Sequence, residues 1–293
     1  MSRTDQRISS DGMRSQNRIS SSKSSISPEV KRMIDNGFAG SPLTLAALSE
    51  LSASIKNNVF GGSVASNFGL LPICGNTLSD SLYWLFVPSG ATFYAVNNNF
   101  VSGDYLETGV SAGLKGNGVN KSLNPLLGQQ SYSVSSMCIG VYGIEFLTNG
   151  AFNCFIGGGG GTNNHTQLVG WSTFTGIGGW IANLDVLGVT VSTVLTSAHF
   201  SLNANSATFL GGYVNGVLSG SQTSQRVTAF VGDFSLSVYS RTINGTFPGA
   251  YNAANFSSMR CRTAYFSPGL SNQQLASLHS AIDLFNTRLG RNI

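Results

Sequence analysis

The chain has 293 residues, of which 41% are hydrophobic and only 10% are charged, against about 25% charged residues in ordinary soluble domains. Its formal net charge is +4, and no Lys/Arg patch is interleaved with aromatic residues, so a nucleic-acid-binding surface is not expected. No apolar run approaches the ~18 residues of a membrane-spanning helix, and the N-terminus lacks the apolar segment of a signal peptide. We therefore expect neither membrane insertion nor secretion.

Residues 1–60 are predicted to form an N-terminal arm. Residues 1–27 are polar, rich in Ser and spaced with Arg, a composition that does not fold alone in water. Two helices are predicted to follow, one opening at Pro28 and one with Ser41 as N-cap and Pro42 as its first residue. Leu residues recur at helical spacing in the second helix and need a packing partner. That partner is either the body of the protein or another copy of the chain.

Residues 61–293 are predicted to form a β-domain. Short runs rich in Val, Phe, Tyr and Thr are bounded by Gly, Asn, Pro or Ser, as in strands. Asn215-Gly216 lies between apolar neighbours and is a strong hairpin signal. In residues 226–240, apolar and polar side chains alternate, which predicts a sheet with one covered face. Strands without long helices between them indicate an antiparallel β-sandwich in a mainly β fold. The predicted strands cover residues 81–90, 133–147, 151–157, 184–195, 207–214 and 226–240.

The chain is predicted to end in an amphipathic helix over residues 271–289. Ser271 and Gln274 have the spacing of a capping box, and Gly290 follows the last apolar position. We expect this helix to shield an edge or face of the sandwich, with His279 on its exposed side. The apolar face of the helix contains Leu275, Leu278, Ile282, Phe285 and Leu289.

Three separated segments resemble the concanavalin A-like, laminin-G-type jelly-roll domains of phage and other viral structural proteins. The resemblance covers about residues 70–290 and leaves residues 1–60 outside. It implies two stacked antiparallel sheets and a place on a tail, fibre or capsid surface of a virion. The segments are TGVSAGLKGNGVNKSLNP (108–125), similar to an early strand, YVNGVLSG (213–220), similar to an Asn-Gly turn, and AYFSPGLSNQQLASLHSAIDLFNTRLGR (264–291), similar to the close of those domains.

Catalysis is not expected. A glycosidase needs two carboxylates that converge on the scissile bond, and glycanases of this fold carry them as Glu-x-Asp-x-x-Glu, which the chain lacks. Asp104 and Glu107 are the closest pair and are interpreted as a polar turn. Asp104, Asp185 and Asp233 are the best candidates for calcium, but each is interpreted as a turn or cap residue, so neither a metal nor a cofactor is expected. The four cysteines form no CxxC pair and are predicted to be buried free thiols.

The run IGGGGGTNNHTQLVGW (156–171) lacks the Gly-Lys-Ser/Thr of a phosphate-binding loop. It is predicted to be a flexible loop between strands. Asn163, Asn164, His165 and Trp171 are candidate ligand-binding residues, because amides and an aromatic ring can hold a sugar. The alternative interpretation places Trp171 in the core of the sandwich.

The leading hypothesis is a non-enzymatic structural component of a virus particle, in a tail, fibre, baseplate or capsid decoration. Residues 1–60 would bind other virion structural proteins, and the low charge favours assembly into a homo-oligomer, for which a trimer is one option. One alternative is a lectin-like protein of a phage tail that binds a host surface glycan. A weaker alternative is a polysaccharide-degrading enzyme. The expected location is the virion, after synthesis in the host cytoplasm.

Overall fold

The computed structural model contains three α-helices and 17 strands within the residues that it describes. These residues are 25–146, 153–159, 165–171, 176–183, 189–191, 197–223, 230, 235–243 and 253–291. The helices are α1 (Pro28–Asp35), α2 (Pro42–Ser54) and α3 (Asn272–Arg288), and a π-helical turn over Ile55–Val59 extends α2. The strands are β1 (Gly69–Leu71), β2 (Val96–Asn98), β3 (Tyr105–Leu106), β4 (Gly113–Lys115), β5 (Ser122–Asn124), β6 (Met137–Ile144), β7 (Asn153–Gly159), β8 (His165–Trp171), β9 (Gly176–Asn183), β10 (Val189–Val191), β11 (Ser197–Ser206), β12 (Phe209–Val214), β13 (Val217–Gln222), β14 (Ser237–Val238), β15 (Arg241–Ile243), β16 (Ala253–Ala254) and β17 (Arg260–Ser267).

The strands form two sheets. The first has eight strands in the order β13-β12-β11-β6-β17-β4-β3, with β1 beside β17. The second has nine strands in the order β10-β9-β8-β7-β14-β5-β2, with β15 beside β7 and β16 beside β15. Among the described strands, only β15 and β7 pair in parallel. The predicted antiparallel β-sandwich of jelly-roll type with a C-terminal helix is confirmed.

The apolar core between the sheets contains side chains from both of them. Ile139 and Val141 of β6 and Phe200 of β11 share one buried cluster with Phe155 and Ile156 of β7. Alternate residues of a strand point to opposite faces of its sheet. The intervening residues of β6 therefore point away from this core.

A helical layer covers the other face of the first sheet. Tyr142 of β6 and Tyr265 of β17 share a second buried cluster with Leu48 of α2 and Ile282 of α3. Gly140 is required in β6 because a Cβ there would lie 2.3 Å from the ring of Tyr265. The described part of the predicted arm, residues 25–60, thus packs on the body of its own chain. The arm boundary at residue 60 stays a prediction, although this cluster spans it.

The predicted terminal helix is confirmed as α3, with Ser271 as its N-cap. The Gln274 backbone N–H donates to the Ser271 hydroxyl at 3.2 Å, and the Ser271 N–H donates to the Gln274 side-chain oxygen at 2.8 Å. The Gln274 amide also donates to the Val59 carbonyl at 2.9 Å and so joins α3 to the end of the second helix. At Gly290, φ is +65°, the left-handed conformation expected just past a helix.

Two strand predictions need correction, and one long strand was missed. Residues 81–90 form a 3₁₀ turn followed by isolated bridges rather than a regular strand, because Tyr83 and Phe86 pair singly with different segments. The last predicted strand is described only at residue 230 and from Ser235 to Ser240, and it is covered on both faces, since Ser237 and Tyr239 are as buried as Leu236 and Val238. The 10-residue strand β11 was not predicted at all.

Strand β11 carries polar residues on its helix-facing side. Asn203 is buried and forms a pair of hydrogen bonds with the backbone of Leu270, donating at 2.7 Å and accepting at 2.9 Å. These bonds fix the chain immediately before α3. The predicted hairpin is confirmed between β12 and β13, where φ is +50° at Asn215 and +77° at Gly216.

Among the described residues, every helix is too short or too polar to cross a bilayer.

A buried arginine, Arg291, holds the segment that follows α3. The Arg291 guanidinium donates to the Glu107 carbonyl at 2.6 Å and to the Ile73 carbonyl at 3.0 Å, and it lies 6.0 Å from the centre of the Phe285 ring. These bonds tie the last turn of the chain to two loops at the edge of the first sheet.

We expect Arg291→Met to lower the free energy of unfolding by about 2–3 kcal/mol, because it leaves two buried carbonyl groups without donors. Arg288→Met is the matched control: Arg288 forms only an exposed ion pair with Glu50 at 3.1 Å and should cost less than about 1 kcal/mol. Urea unfolding of the three proteins measures both values. Equal losses in the two variants would contradict the buried anchor.

His279 corrects a further prediction, because it is half-buried rather than exposed. Its ring stacks on that of His199, with centroids 5.5 Å apart and planes at 29°. Burial lowers the pKa of His199 to about 3. Desolvation also lowers the pKa of His279, although the nearby Asp283 carboxylate acts in the opposite direction. Both rings are therefore neutral where α3 packs on β11.

This pair predicts acid-sensitive stability. The unfolded chain binds protons with ordinary histidine pKa values near about 6.5, whereas the folded chain resists protonation. The free energy of unfolding should therefore be constant above pH 6.5 and fall below it, by up to about 1.4 kcal/mol per pH unit for each neutral histidine. Urea unfolding between pH 7.5 and 5 measures this slope. A His199→Gln/His279→Gln variant should lose it, and an unchanged slope would contradict the explanation.

Candidate functional site

The residues predicted to bind a ligand are only partly described. Asn163 and Asn164 lie outside the described residues. His165 and Trp171 are the first and last residues of β8, where only the backbone is described. The predicted loop is wrong at both ends, because residues 157–159 belong to β7 and pair with β8. The described glycines of the run are thus strand residues, and residues 160–164 lie outside the described part of the chain.

The hairpin of β7 and β8 lies at the same end of the second sheet as the segment that leads into β2. Strand β2 is four places from β8, or about 19 Å away at ~4.8 Å per strand. The register brings Val96 level with Gly157, and Tyr94 continues from Val96 towards the end where His165 begins β8. The pairs that fix this register are Val96–Asn124, Leu123–Val238, Ser237–Gly157 and Gly159–His165.

A groove of about 480 Å³ opens at this end, beside the edge strand β2. Its most exposed wall is formed by Tyr94 and Val96, which expose 52% and 37% of their surface. Exposed apolar side chains that adjoin one another indicate an interaction site more strongly than scattered ones. The groove is lined by Leu78, Ser79, Leu82, Tyr83, Tyr94, Ala95, Val96 and Asn97.

A short antiparallel bridge positions the two tyrosines. The Trp84 N–H donates to the Phe93 carbonyl at 3.0 Å, and the Ala95 N–H donates to the Leu82 carbonyl at 2.9 Å. Tyr83 and Tyr94 therefore form a pair without hydrogen bonds to each other, the geometry that brings opposite side chains closest. Their ring centroids are 5.9 Å apart and the ring planes are tilted by 58°. Together the rings form an open, angled aromatic wall.

Tyr83 is held more firmly than Tyr94. Its hydroxyl donates to the Asn36 carbonyl at 2.6 Å, and its ring lies edge-on to Phe38 at 6.0 Å. Both contacts come from the turn after α1, so the helical layer positions one wall of the groove. The polar groups of the groove include the Ser79 hydroxyl and the Asn97 amide. That amide also bonds to the Phe100 backbone, accepting at 2.9 Å and donating at 3.0 Å.

The aromatic pair was not among the predicted site residues. The available signal was the Pro-Ser-Gly turn at 88–90 between two apolar runs, which predicts a tight return of the chain. That signal brings the two runs together. It does not show that Tyr83 and Tyr94 share an exposed face, because the bridge that aligns them depends on packing around it.

The carboxylates of the described part of the body have structural partners. Asp185 and Asp233 lie outside the described residues. Each of the five described carboxylates of the body contacts another part of the fold. The contacts are Asp80 with the Ala39 and Thr77 backbone N–H groups, Asp104 with the Val101 N–H and Lys121, Glu107 with the Thr44 hydroxyl, Glu145 with Lys115 and Arg260, and Asp283 with the Tyr142 hydroxyl. Asp104 and Glu107 thus bind different partners. Burial raises the pKa of Glu145, but hydrogen bonds from its two cations outweigh this and hold the pKa below its usual value.

The cysteines of the chain are buried within the fold. The predicted buried thiols are confirmed at Cys74, Cys138, Cys154 and Cys261. Burial raises the pKa of Cys74 and of Cys261 to about 12, so these thiols stay protonated at neutral pH. In the part of the chain that the structure describes, no three His, Cys, Asp or Glu side chains cluster closely enough to hold a metal ion.

No protein-family model matches the sequence, and no curated protein is significantly similar to it. Among solved structures, the chain is similar to a Trypanosoma rangeli sialidase, with 12% identity and a TM-score of 0.48 over 83% of this chain and 39% of the sialidase. It therefore spans about two fifths of that enzyme. It is also similar to domain 4 of AbnA, a GH43 arabinanase from Geobacillus stearothermophilus, with 15% identity and a TM-score of 0.39 over 65% of this chain and 82% of that domain. A third similar structure is the CBM40 of a Ruminococcus gnavus IT-sialidase, with 17% identity and a TM-score of 0.36 over 50% of this chain and 83% of that module.

Proposed function

We propose that this chain is a non-enzymatic structural component of a virus particle, in a tail, fibre, baseplate or capsid decoration. One observation carries the non-enzymatic part: each carboxylate of the body within the described residues is bound to a structural partner. Glycoside hydrolysis by a carboxylate pair needs two such groups to converge on one bond, whereas each described carboxylate is engaged by its own structural partner. The buried thiols of Cys74 and Cys261 are protonated at neutral pH, because burial raises their pKa, and so lack the reactivity of a nucleophile.

The assembly role is supported by composition and by sequence resemblance. The body, residues 61–293, carries only 15 of the 28 Lys, Arg, Asp and Glu residues of the chain. A surface this poor in charge suits burial against neighbouring subunits, since each Å² of apolar area removed from water contributes roughly 25 cal/mol. The segment 264–291 resembles the close of phage jelly-roll domains. We propose contacts with other virion proteins through residues 1–60 and assembly as a homo-oligomer, for which a trimer is the first state to test.

Purified particles test the virion assignment. The chain should band with intact particles in a density gradient, at a fixed ratio to the major capsid protein, when both are quantified by mass spectrometry. Treatment with high salt should not remove it, because few charges are available for the contacts. Recovery of the chain only from the soluble fraction of infected cells would contradict the proposal.

Absence of catalysis is tested with a panel of bacterial surface polysaccharides. The chain should release no reducing ends above the level of a buffer control, because its described carboxylates serve the fold. An Asp104→Asn/Glu107→Gln variant should behave identically, and Asp35→Asn, which alters an exposed ion pair with Lys31, controls for nonspecific effects. Release by the unmodified chain that the double variant abolishes would show an enzyme.

A second candidate function is lectin-like binding of a host surface glycan. The aromatic groove favours it, because the apolar faces of sugar rings stack on exposed aromatic rings while hydroxyl groups bond to amides. The groove lies at the same end of the second sheet as His165, one of the residues predicted to bind a sugar. The two functions are compatible, since a structural protein at a particle surface is well placed to contact the host.

A further inference from the structure

We propose that the groove between Tyr83 and Tyr94 binds a neutral sugar ring. This inference rests on the second candidate function, glycan binding, and names the site and the chemical class of the ligand. The site differs from the predicted one, because it lies on the bridge beside β2 and its described lining residues include none of those predicted to bind a ligand.

The shape of the groove fits a small ring stacked on an aromatic wall. Its volume of about 480 Å³ lies within the roughly 300–1,000 Å³ of typical small-ligand sites. The 58° tilt between the two rings leaves an open angle in which one face of a sugar contacts Tyr94 while its edge contacts Tyr83. Ser79 and Asn97 also line the groove, and polar residues of these types can bond to sugar hydroxyl groups.

The groove is preorganised on one side. Tyr83 is fixed by its hydrogen bond to Asn36 and its edge contact with Phe38, so binding costs little of its rotational freedom. Tyr94 is half exposed and gains most from being covered. An aromatic side chain has only two rotatable bonds and gives a large contact area at a low entropic cost.

The ligand class follows from charge. The eight described residues that line the groove are all uncharged. A sugar acid placed here would lose hydration at its carboxylate without gaining a cation, a cost that proteins usually offset with Arg or Lys. A neutral sugar has no such cost. The observations thus favour uncharged hexoses and their N-acetyl derivatives over sialic or uronic acids.

An extended peptide is a less suitable occupant. The nearby edge strand β2 has only three residues, too few for a peptide to add along it with a regular set of backbone hydrogen bonds. The polar groups at the groove are a hydroxyl and an amide from side chains. They match the spaced hydroxyl groups of a sugar better than a continuous backbone.

The full chain is tested on a glycan array and by calorimetry with the best neutral oligosaccharide. Tyr94→Ala should weaken binding at least about 10-fold, equivalent to ~1.4 kcal/mol, while the thermal midpoint stays unchanged because the side chain is exposed. Tyr94→Phe, the matched control, keeps the ring and should retain affinity within about 3-fold. Affinity should be the same in 150 and 500 mM NaCl, because no ion pair forms at an uncharged site.

The outcomes separate the site from the function. Binding of neutral glycans that survives Tyr94→Ala but is lost in Trp171→Ala would overturn this site and leave glycan binding intact. Binding confined to sialylated or uronic glycans would overturn the neutral class. Binding of an apolar peptide library, but of no glycan, would overturn both this inference and the lectin-like function. Loss of neutral-glycan binding in Tyr94→Ala, with retention in Tyr94→Phe, supports the proposal.

Discussion

The structure depends on a sheet that is buried on both faces. Strands β6 and β17 lie at its centre, with Ile139 and Phe266 in the core between the sheets and Tyr142 and Tyr265 under the helical layer. At roughly 25 cal/mol per Å² of apolar surface, each of the two cores contributes a large share of stability. Because both cores share the same strands, loss of the helical layer would expose the first sheet to water. The helices are therefore part of the fold that carries the groove.

Local signals predicted the elements whose ends are set by neighbours in sequence. Ser27, Ser41 and Ser271 each accept a bond from the first turn of the helix that follows, and these bonds are readable from spacing alone. Strand β11 carried no such signal, because His199 and Asn203 interrupt its apolar pattern. Their partners, Tyr265 and Leu270, are more than 60 residues away. When the hydrogen-bond partner of a buried polar side chain is distant in sequence, the sequence pattern alone indicates a turn at that residue.

The groove depends on the same long-range packing. Tyr83 is oriented by the turn after α1, and Tyr94 follows because the bridge aligns the two residues. The residues predicted to bind a ligand stay a prediction, and His165 begins β8 at the end of the second sheet where the groove opens. In physical terms, the glycine-rich run signals an unusual backbone, whereas an exposed aromatic pair appears only once the chain has folded.

Hydrogen exchange of the intact chain, read peptide by peptide, tests the shared sheet most directly. If the helical layer and the sandwich are one cooperative unit, amides in α2 and α3 should exchange as slowly as those of β6 and β17, and all should follow a single global opening as urea is added. If residues 25–60 formed a separate module, α1 and α2 would exchange fast while the sheet stayed protected. That result would contradict a first sheet whose second face is closed by its own helices.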